Sequence, residues 1–404
     1  MDIDQVQPAF AKREFLAVLI AGFGNELLPL TSDNGDEPSP KPLLPVANKP
    51  LLEYVLSWLE QSGIKDVLLI CPAIHQPALY HHINSDISSS ALRIDLQTYD
   101  ETQEDTAGTC ALLRHFASRI TEDFVVVPCD FITPPSLPLS TLLNKFRTET
   151  TSNGAIISTC WYPAYIPEKG ILLDEWGPVP SPPAIIWDPS TESLLYIDTP
   201  DDRDKNAEDM EIKMDLLTHD KLDEDDDAPN SSFKVTITIH QPSNGLALRI
   251  NNLYAFLETN RSFLSTAAYS LPTDPKNRSL IDQKAQISTD TIVGDSTQIS
   301  ERTIIKRSVI GRHCIIGKNV KISGCILFDH CVVEDGAKLD GCILGKNTKV
   351  GSKSELTRCI SCGGFEVNAG DTLKGEKLDI SDWAAGTIHS TSNDEDQSSD
   401  DLSD

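Results

Sequence analysis

Residues 291–345 read TIVGDSTQISERTIIKRSVIGRHCIIGKNVKISGCILFDHCVVEDGAKLDGCILG, and this stretch repeats its pattern every 17 residues. Within one period, aliphatic residues recur at steps of six, six and five, as in Ile310, Ile316, Ile322 and Leu327. Three short flat faces per turn, each with one aliphatic residue inward, are typical of hexapeptide repeats. The pattern therefore predicts a left-handed parallel β-helix of about four coils within residues 285–375.

Most of the cysteines follow the same repeat. Cys314 and Cys331 share a column with Thr297, whereas Ser308, Cys325, Cys342 and Cys359 form another column. Their repeat positions predict small residues stacked inside the helix and not redox or metal chemistry. Cys359 and Cys362 form a Cys-x-x-Cys pair, but no second pair or histidine stands at zinc spacing, so we predict no metal site.

The sequence before the repeat alternates strands and helices. Residues 15–20 form a short apolar run that enters a glycine loop, and residues 51–62 have apolar side chains at helical spacing. Residues 67–70 and 124–127 read as further short strands, with a helix predicted over 108–120. This order predicts an α/β, Rossmann-type domain with a mainly parallel sheet over residues 12–270. Residues 233–240 alternate apolar and polar, which predicts a half-exposed strand in an outlying part of the sheet.

The chain of 404 residues has a formal net charge of −27. We therefore do not expect nucleic acid or an anionic membrane to bind it directly. Two acidic segments, residues 198–227 and 391–404, supply −16 of this charge. We interpret the first as a solvated loop and the second as a disordered tail. No apolar run is long enough to span a bilayer and the charged start has no signal-peptide character, so we expect a cytosolic protein.

A glycine loop at residues 19–31, LIAGFGNELLPLT, is followed by PKPLLPV at 40–46, and together they resemble the sugar-1-phosphate nucleotidyltransferases. That resemblance implies a nucleotide pocket around Gly22, Gly24 and Lys41. Residues 106–112 look like the family's second glycine turn, at Gly108, and Asp130 stands where the family places a magnesium ligand.

One departure from that family changes the predicted function. The family has an arginine in the glycine loop, and this sequence has Glu26, so a cation that would clamp a triphosphate becomes a carboxylate. In a poorly solvated pocket this reverses the sign of the interaction with phosphate. No second metal carboxylate is found after Tyr254. We therefore expect a vestigial nucleotide pocket formed by Gly22, Gly24, Glu26, Lys41, Gly108 and Asp130, with no catalytic residue, cofactor or metal.

A closer resemblance, over about residues 12–365, is to the gamma-subunit family of eukaryotic translation initiation factor 2B. It is carried by the degenerate glycine loop, by VVVPCDFIT at 125–133, by LLYI at 194–197 before MEIKMDLL at 210–217, and by KRSVIG at 306–311. The resemblance implies a non-catalytic subunit of a guanine nucleotide exchange complex. It would pair with a homologous epsilon subunit in a decamer, two copies of five subunits, and act on the GTPase initiation factor 2.

The end of the sequence favours gamma over epsilon in this resemblance. Epsilon carries a further helical repeat domain after its β-helix, and residues 379–404 are too few to form one.

Two enzymatic alternatives remain open. An active sugar-1-phosphate nucleotidyltransferase, such as a GDP-mannose pyrophosphorylase, is supported by Lys41, Gly108 and Asp130. A hexapeptide acyltransferase would rest on the β-helix alone. His313 and His330 share the 17-residue step, but their neighbours lack an acceptor or coenzyme signature, so we interpret both as exposed corners of the coils.

Overall fold

The computed structural model describes residues 15–32, 39–85, 91–134, 136–162, 176, 184–198, 234–241, 247–266 and 271–379. The acidic segment beyond Asp198, the 210–217 element within it and the 391–404 tail lie outside these residues. Among the described residues, no helix has the length and apolar character needed to cross a membrane.

The elements of the first domain alternate strands and helices. In chain order they are β1 (Phe15–Ile20), β2 (Pro45–Val46), β3 (Lys49–Pro50), α1 (Leu51–Gln61), β4 (Asp66–Pro72), α2 (Gln76–Ser85), β5 (Arg93–Tyr99), α3 (Glu101–His115), β6 (Asp123–Pro128), β7 (Phe131–Ile132), α4 (Leu139–Asn153), β8 (Ile157–Trp161), β9 (Ala184–Asp188), β10 (Ser193–Asp198), β11 (Val235–Ile239), β12 (Leu248–Arg249) and α5 (Leu253–Thr266).

The first sheet has the order β5-β4-β1-β6, and all its strands are parallel. Strand β1 lies at its centre because its apolar run can be buried between two neighbours, as expected for a parallel sheet covered by helices. This confirms the predicted α/β class. The predicted helix over 108–120 is wrong in its bounds. The helix spans Glu101–His115 and is broken at Gly108, whose φ of 55° and ψ of 176° are not helical.

A second sheet has the order β8-β11-β10-β9. The strand predicted over 233–240 is present as β11, in this sheet and not in the parallel one. It does not alternate in burial as predicted: Thr236 and Ile237 are both buried. The reason is its place between two strands, parallel to β8 and antiparallel to β10.

A short helix, α6 (Pro275–Arg278), precedes the strands of the repeat region, which have two or three residues each. These are β13 (Gln286–Ile287), β14 (Ile292–Val293), β15 (Gln298–Ile299), β16 (Ile304–Lys306), β17 (Val309–Ile310), β18 (Ile315–Ile316), β19 (Lys321–Ser323), β20 (Ile326–Leu327), β21 (Val332–Val333), β22 (Lys338–Asp340), β23 (Ile343–Leu344), β24 (Lys349–Val350), β25 (Glu355–Thr357), β26 (Ile360–Ser361), β27 (Glu366–Val367), β28 (Thr372–Lys374) and β29 (Lys377–Leu378).

These strands form three parallel sheets, of six, six and five strands. Successive coils pair with a step of 17 residues, as in Ile305 with Ile322 and Ile316 with Val333. The described coils outnumber the predicted four, because the 17-residue step continues from Val350 to Val367 and from Leu356 to Leu373. Each coil places aliphatic side chains in a continuous interior core. His313 and His330 are exposed and have positive φ, as expected for residues at corners.

The cysteine columns lie inside this core, as predicted. The Sγ of Cys331 contacts the carbonyl oxygen of Gly345 at 3.2 Å, and the backbone N–H of Cys342 donates to the Sγ of Cys325 at 3.4 Å. Burial raises the pKa of the Cys331 thiol well above its usual value. The hydrogen bond with Cys342, together with burial, raises the pKa of the Cys359 thiol. These groups are neutral, satisfied packing residues.

The β-helix and the α/β domain share an apolar core along one sheet of the helix. The outward side chains of that sheet pack around α5, and they are Ile292, Val309, Ile326, Phe328, Ile343 and Ile360. The ring centroids of Phe256 and Phe328 lie 5.9 Å apart in an edge-to-face arrangement. Polar contacts add to the interface: the Asn48 amide donates to the Ile310 carbonyl at 2.7 Å, and the Trp176 indole donates to the Arg358 carbonyl at 2.9 Å.

We predict that Gly345→Ala destabilises the β-helix by about 1–3 kcal/mol, as overpacking does in other cores. A Cβ at Gly345 would lie 2.6 Å from the backbone carbonyl of Cys362 in the next coil, which cannot move without breaking the stacking. The measurement is the free energy of unfolding in urea. Gly364→Asn is the matched control, because Asn347 already adopts the same left-handed conformation in the preceding coil. Equal losses in the two variants would contradict the prediction.

We also predict that about one thiol per chain of the native protein reacts rapidly with Ellman's reagent. Cys110 is exposed, Cys160 is half-buried with its thiol pKa raised by burial to about 11, and the other cysteines are buried. A neutral thiol with restricted access reacts slowly. Cys110→Ser should remove the fast phase, and unfolding in denaturant should expose the remaining thiols. A fast phase that persists in Cys110→Ser would show that the interior thiols are accessible.

Candidate functional site

A cleft of about 390 Å³ lies at the carboxyl ends of β1 and β6. The first βα connections of a parallel sheet meet at this edge, which is the usual position of a ligand site in open α/β sheets. The residues lining the cleft are Ile20, Gly22, Lys41, Tyr99, Gly108, Thr109, Leu112, Val126, Pro128, Cys129, Asp130 and Arg249. One part of this lining is apolar, and the other carries three charged side chains.

The Asp130 carboxylate is the centre of the charged part. Its side chain is completely buried directly after β6. Oδ2 lies 2.5 Å from the Nζ of Lys41, and Oδ1 accepts a hydrogen bond from the Nε of Arg249 at 3.1 Å. The Nη2 of Arg249 makes a longer contact of 3.4 Å with Oδ2. One buried carboxylate therefore holds two cations.

Lys41 reaches Asp130 because of the local chain geometry. Lys41 begins the 3-10 helix Lys41–Leu43, directly after Pro40. The glycine loop supports it from the other side. Gly24 has φ 84°, its carbonyl accepts a hydrogen bond from the Thr31 hydroxyl at 2.8 Å, and a Cβ on Gly24 would come within 3.1 Å of the Cβ of Lys41. Glycine at this position allows both the left-handed backbone and the close packing.

Arg249 is positioned by a long-range strand pair. β12 is antiparallel to β7, with Arg249 opposite Phe131, and the N–H of Ile250 donates to the Asp130 carbonyl at 2.9 Å. This pairing places the guanidinium against the Asp130 carboxylate. The Arg249 side chain stays 44% exposed, while that of Lys41 is 10% exposed.

The described charged side chains of the cleft have a net positive charge. Burial acts to lower the pKa of the Arg249 guanidinium, but the charge and hydrogen bonds of Asp130 outweigh it and the pKa is raised. Burial, with a further contribution from Asp130, raises the pKa of the neighbouring Cys129 thiol to about 12, so this cysteine is not a thiolate at neutral pH. Among the residues that the structure describes, the lining has Lys41, Arg249 and one carboxylate, which together carry a net charge of about +1.

The structure brings four of the six predicted pocket residues into the cleft lining: Gly22, Lys41, Gly108 and Asp130. Gly24 lies behind Lys41 as a packing residue. Glu26 is exposed on the 3-10 helix Asn25–Leu27 and is not among the lining residues. The prediction that Glu26 places a carboxylate in a poorly solvated pocket is therefore wrong, because the helix turns this position toward solvent.

Sequence reasoning missed Arg249, Tyr99, Thr109 and Leu112. Thr109 and Leu112 follow Gly108 and could have been inferred from the second glycine turn. No sequence signal pairs Arg249 with Asp130, since the two are 119 residues apart and the contact depends on the β7–β12 pairing.

The magnesium ligand that the nucleotidyltransferase resemblance implies at Asp130 does not fit the observed geometry. A magnesium ion takes carboxylate oxygens as ligands, and both oxygens of Asp130 are engaged by Lys41 and Arg249. Among the described residues, no group of three or more histidine, cysteine, aspartate or glutamate side chains is arranged to hold a metal ion.

We predict that Asp130→Ala lowers the free energy of unfolding by about 3 kcal/mol, because it leaves the buried Lys41 cation without its partner. Arg249→Ala should lower it by about 1 kcal/mol or less, since the arginine side chain is 44% exposed and Lys41 still pairs with the buried carboxylate. Urea denaturation followed by circular dichroism measures both. An Arg249→Ala loss equal to that of Asp130→Ala would contradict this ranking.

Two protein families match separate parts of the chain. Residues 17–165 match the nucleotidyl transferase family. This matched segment contains the cleft loops and Asp130. Residues 275–373 match the family described as the EIF2B subunit epsilon LbH domain, which confirms the predicted left-handed β-helix.

Curated relatives match over about 150 residues. The chain is 38% identical over 148 residues to the translation initiation factor eIF2B subunit gamma of Schizosaccharomyces pombe, covering 36% of this chain and 30% of that protein. It is 30% identical over 148 residues to the Caenorhabditis elegans eIF2B subunit gamma, covering 36% and 35%. It is also 29% identical over 153 residues to the catalytic subunit beta of Drosophila melanogaster mannose-1-phosphate guanylyltransferase, covering 38% of each chain.

The matched segments thus span about a third of the length of these relatives. The β-helix family is named after epsilon, whereas the two eIF2B relatives are gamma subunits. A nucleotidyl transferase domain joined to an eIF2B-type left-handed β-helix, together with these relatives, identifies the chain as similar to the gamma subunit of translation initiation factor eIF2B.

Proposed function

We propose that this chain is a non-catalytic subunit of an eIF2B-type guanine nucleotide exchange complex in translation initiation. It pairs with a homologous epsilon subunit in a cytosolic decamer, two copies of five subunits. Through that assembly it promotes GDP release from initiation factor 2. The observation that carries the proposal is the combination of the eIF2B-type β-helix over residues 275–373 with a gamma-like α/β domain in one chain.

The rigid junction between the two domains supports this role. One sheet of the β-helix is buried against α5, so among the described residues the other two sheets remain to offer side faces to a partner subunit. A shared core also keeps the relative orientation of the domains constant. A subunit that holds partners in a fixed geometry needs this property, whereas a catalytic cycle with domain closure does not.

The ion pairs in the cleft support a non-catalytic role. Transfer of a nucleotidyl group needs stabilisation of charge on the phosphates, which metal ions supply in many phosphoryl-transfer enzymes. The carboxylate at the strand end already forms ion pairs with both Lys41 and Arg249. Both metal binding and release of Lys41 toward a substrate would require this ion-pair cluster to open.

Exchange itself depends on differential binding. The complex must bind the nucleotide-free GTPase more tightly than the GDP-bound form, because a protein shifts an equilibrium only by its difference in affinity for the two states. We propose that this chain contributes contacts to the GTPase and that epsilon supplies the exchange activity.

An active nucleotidyltransferase is the second candidate. It is favoured by the similarity to the Drosophila mannose-1-phosphate guanylyltransferase subunit and by Lys41, Gly108 and Asp130, which all line the cleft. Release of pyrophosphate from GTP and mannose-1-phosphate would support it if Lys41→Ala abolished the reaction while Lys145→Ala, outside the cleft, did not.

We predict that the isolated chain catalyses little GDP release and that adding it to epsilon raises the exchange rate of epsilon several-fold. The measurement is the loss of fluorescent GDP from purified initiation factor 2. The control is the chain with Arg119→Gln. This variant removes an exposed ion pair on the α/β domain and so tests whether a change in surface charge alone alters the rate. Equal rates of epsilon with and without the chain would contradict the proposed function.

The assembly is tested separately by purifying the tagged chain gently from its own cells. We expect the other four subunits and initiation factor 2 to copurify, with a native mass corresponding to two copies of each subunit. A homo-oligomer without these partners would contradict the proposal and favour the enzymatic reading.

A further inference from the structure

The β-helix differs in charge from the rest of this acidic chain. Residues 285–375 contain 12 lysines and arginines and 10 aspartates and glutamates, a net charge of +2, whereas the whole chain has −27. An acidic ligand is therefore attracted to the β-helix and repelled by the remainder of the chain.

One of the three sheets of the β-helix, with the order β13-β16-β19-β22-β25-β28, has lysines on neighbouring strands. Lys321 of β19 lies directly opposite Lys338 of β22, and Lys306 is the last residue of β16, on the other side of β19. All three side chains are exposed, because Ile305 and Ile322 take the inward positions of these strands. We call the three lysines the basic face.

The charges of the basic face are not balanced within the β-helix. Like charges directly opposite each other on neighbouring strands destabilise a sheet. Lys338 forms an ion pair with Glu355, its neighbour on β25. In the part of the chain that the structure describes, neither Lys306 nor Lys321 forms an ion pair, and neither does Asp340 at the other end of β22. Two cations against one carboxylate leave this face with positive charge that an acidic ligand can pair with.

An acidic segment of the same chain follows the β-helix closely. Residues 394–404, DEDQSSDDLSD, contain six acidic residues and no basic one, and 14 residues separate them from Asp379. Strand β28 is three strand spacings from β19, which is about 14 Å. Fifteen residues of extended chain span up to roughly 50 Å, so the acidic segment can reach the basic face.

The covalent connection makes weak ion pairs effective. A single exposed ion pair contributes little, but a segment tethered to its site acts at a high effective concentration and brings several carboxylates at once. The other acidic segment, residues 198–227, is less complementary to the basic face. It includes four basic residues and belongs to the α/β part of the sequence.

We propose that residues 394–404 bind the basic face of the same chain and that their carboxylates pair with Lys306 and Lys321. The bound segment covers one of the two β-helix sheets that are not buried against α5. Because the contact is between exposed charges, salt weakens it. The contact is independent of the proposed subunit assembly, so it can be measured on the isolated full-length chain.

The first test uses a zero-length carbodiimide, which joins a lysine to a carboxylate only where the two are in contact, followed by mass spectrometry of the linked peptides. We expect links from Lys306 and Lys321 to residues 394–404 at low salt. They should fall at least fivefold in about 1 M salt, where the Debye length is about 3 Å. The Lys338–Glu355 pair is the internal control, since neighbouring strands hold it together in both buffers.

Three outcomes of this test would overturn the proposal. If the control link forms at low salt without any link from the basic face to residues 394–404, the segment does not bind there. Links to residues 198–227 instead would assign the face to the other acidic segment. In a mixture of isotope-labelled and unlabelled protein, links that join a labelled to an unlabelled chain would show that the segment binds a second copy.

The second test removes the two lysines together, with Lys306→Gln and Lys321→Gln. The measurement is the rate at which a glutamate-specific protease cuts after Glu395 at low salt, because a bound segment is protected from cleavage. We expect cleavage at least threefold faster in the double variant. The matched control, Lys65→Gln with Lys349→Gln, removes two exposed lysines outside the basic face and should be cleaved like the unmodified chain. Equal rates in all three proteins, with their folds verified by circular dichroism, would contradict the proposed contact.

Discussion

The buried carboxylate of Asp130 joins three segments that are far apart in the sequence. It follows β6, contacts Lys41 at 2.5 Å from the segment after the glycine loop, and contacts Arg249 at 3.1 Å from β12. An isolated buried charge would be costly, so the Asp130 carboxylate is stabilised by the cations that pair with it. The glycine loop, the end of the central sheet and the β7–β12 pair therefore hold a common geometry, and the cleft takes its shape and charge from that arrangement.

The same ion-pair cluster links the charged part of the cleft to the architecture of the nucleotidyl transferase domain. A catalytic site keeps cations and metal ligands available for the substrate. Here the cations are already neutralised in part by a group that is completely inaccessible to solvent. The cluster then supports the fold and the cleft, and the faces of the domain can serve in contacts between subunits.

The β-helix supplies a second constraint, which acts through shape. Glycines such as Gly311 and Gly345 allow adjacent coils to stack, since a Cβ at either position would lie 2.6 Å from the backbone of the next coil. The regular stacking produces flat sheets, and one of these sheets is buried against α5. This contact joins the two domains through an apolar core.

Features that depend on local periodicity could be predicted from the amino-acid sequence. The 17-residue repeat predicted the β-helix and its buried cysteine columns, and apolar runs ending in glycine predicted the parallel strands around β1, because these patterns lie within short stretches of sequence. The folded chain was needed to show that Arg249 pairs with Asp130, that Glu26 faces solvent and that the β-helix docks on α5. Each of these depends on which distant segments pack together, and a side chain's surroundings after packing leave no periodic trace in the sequence.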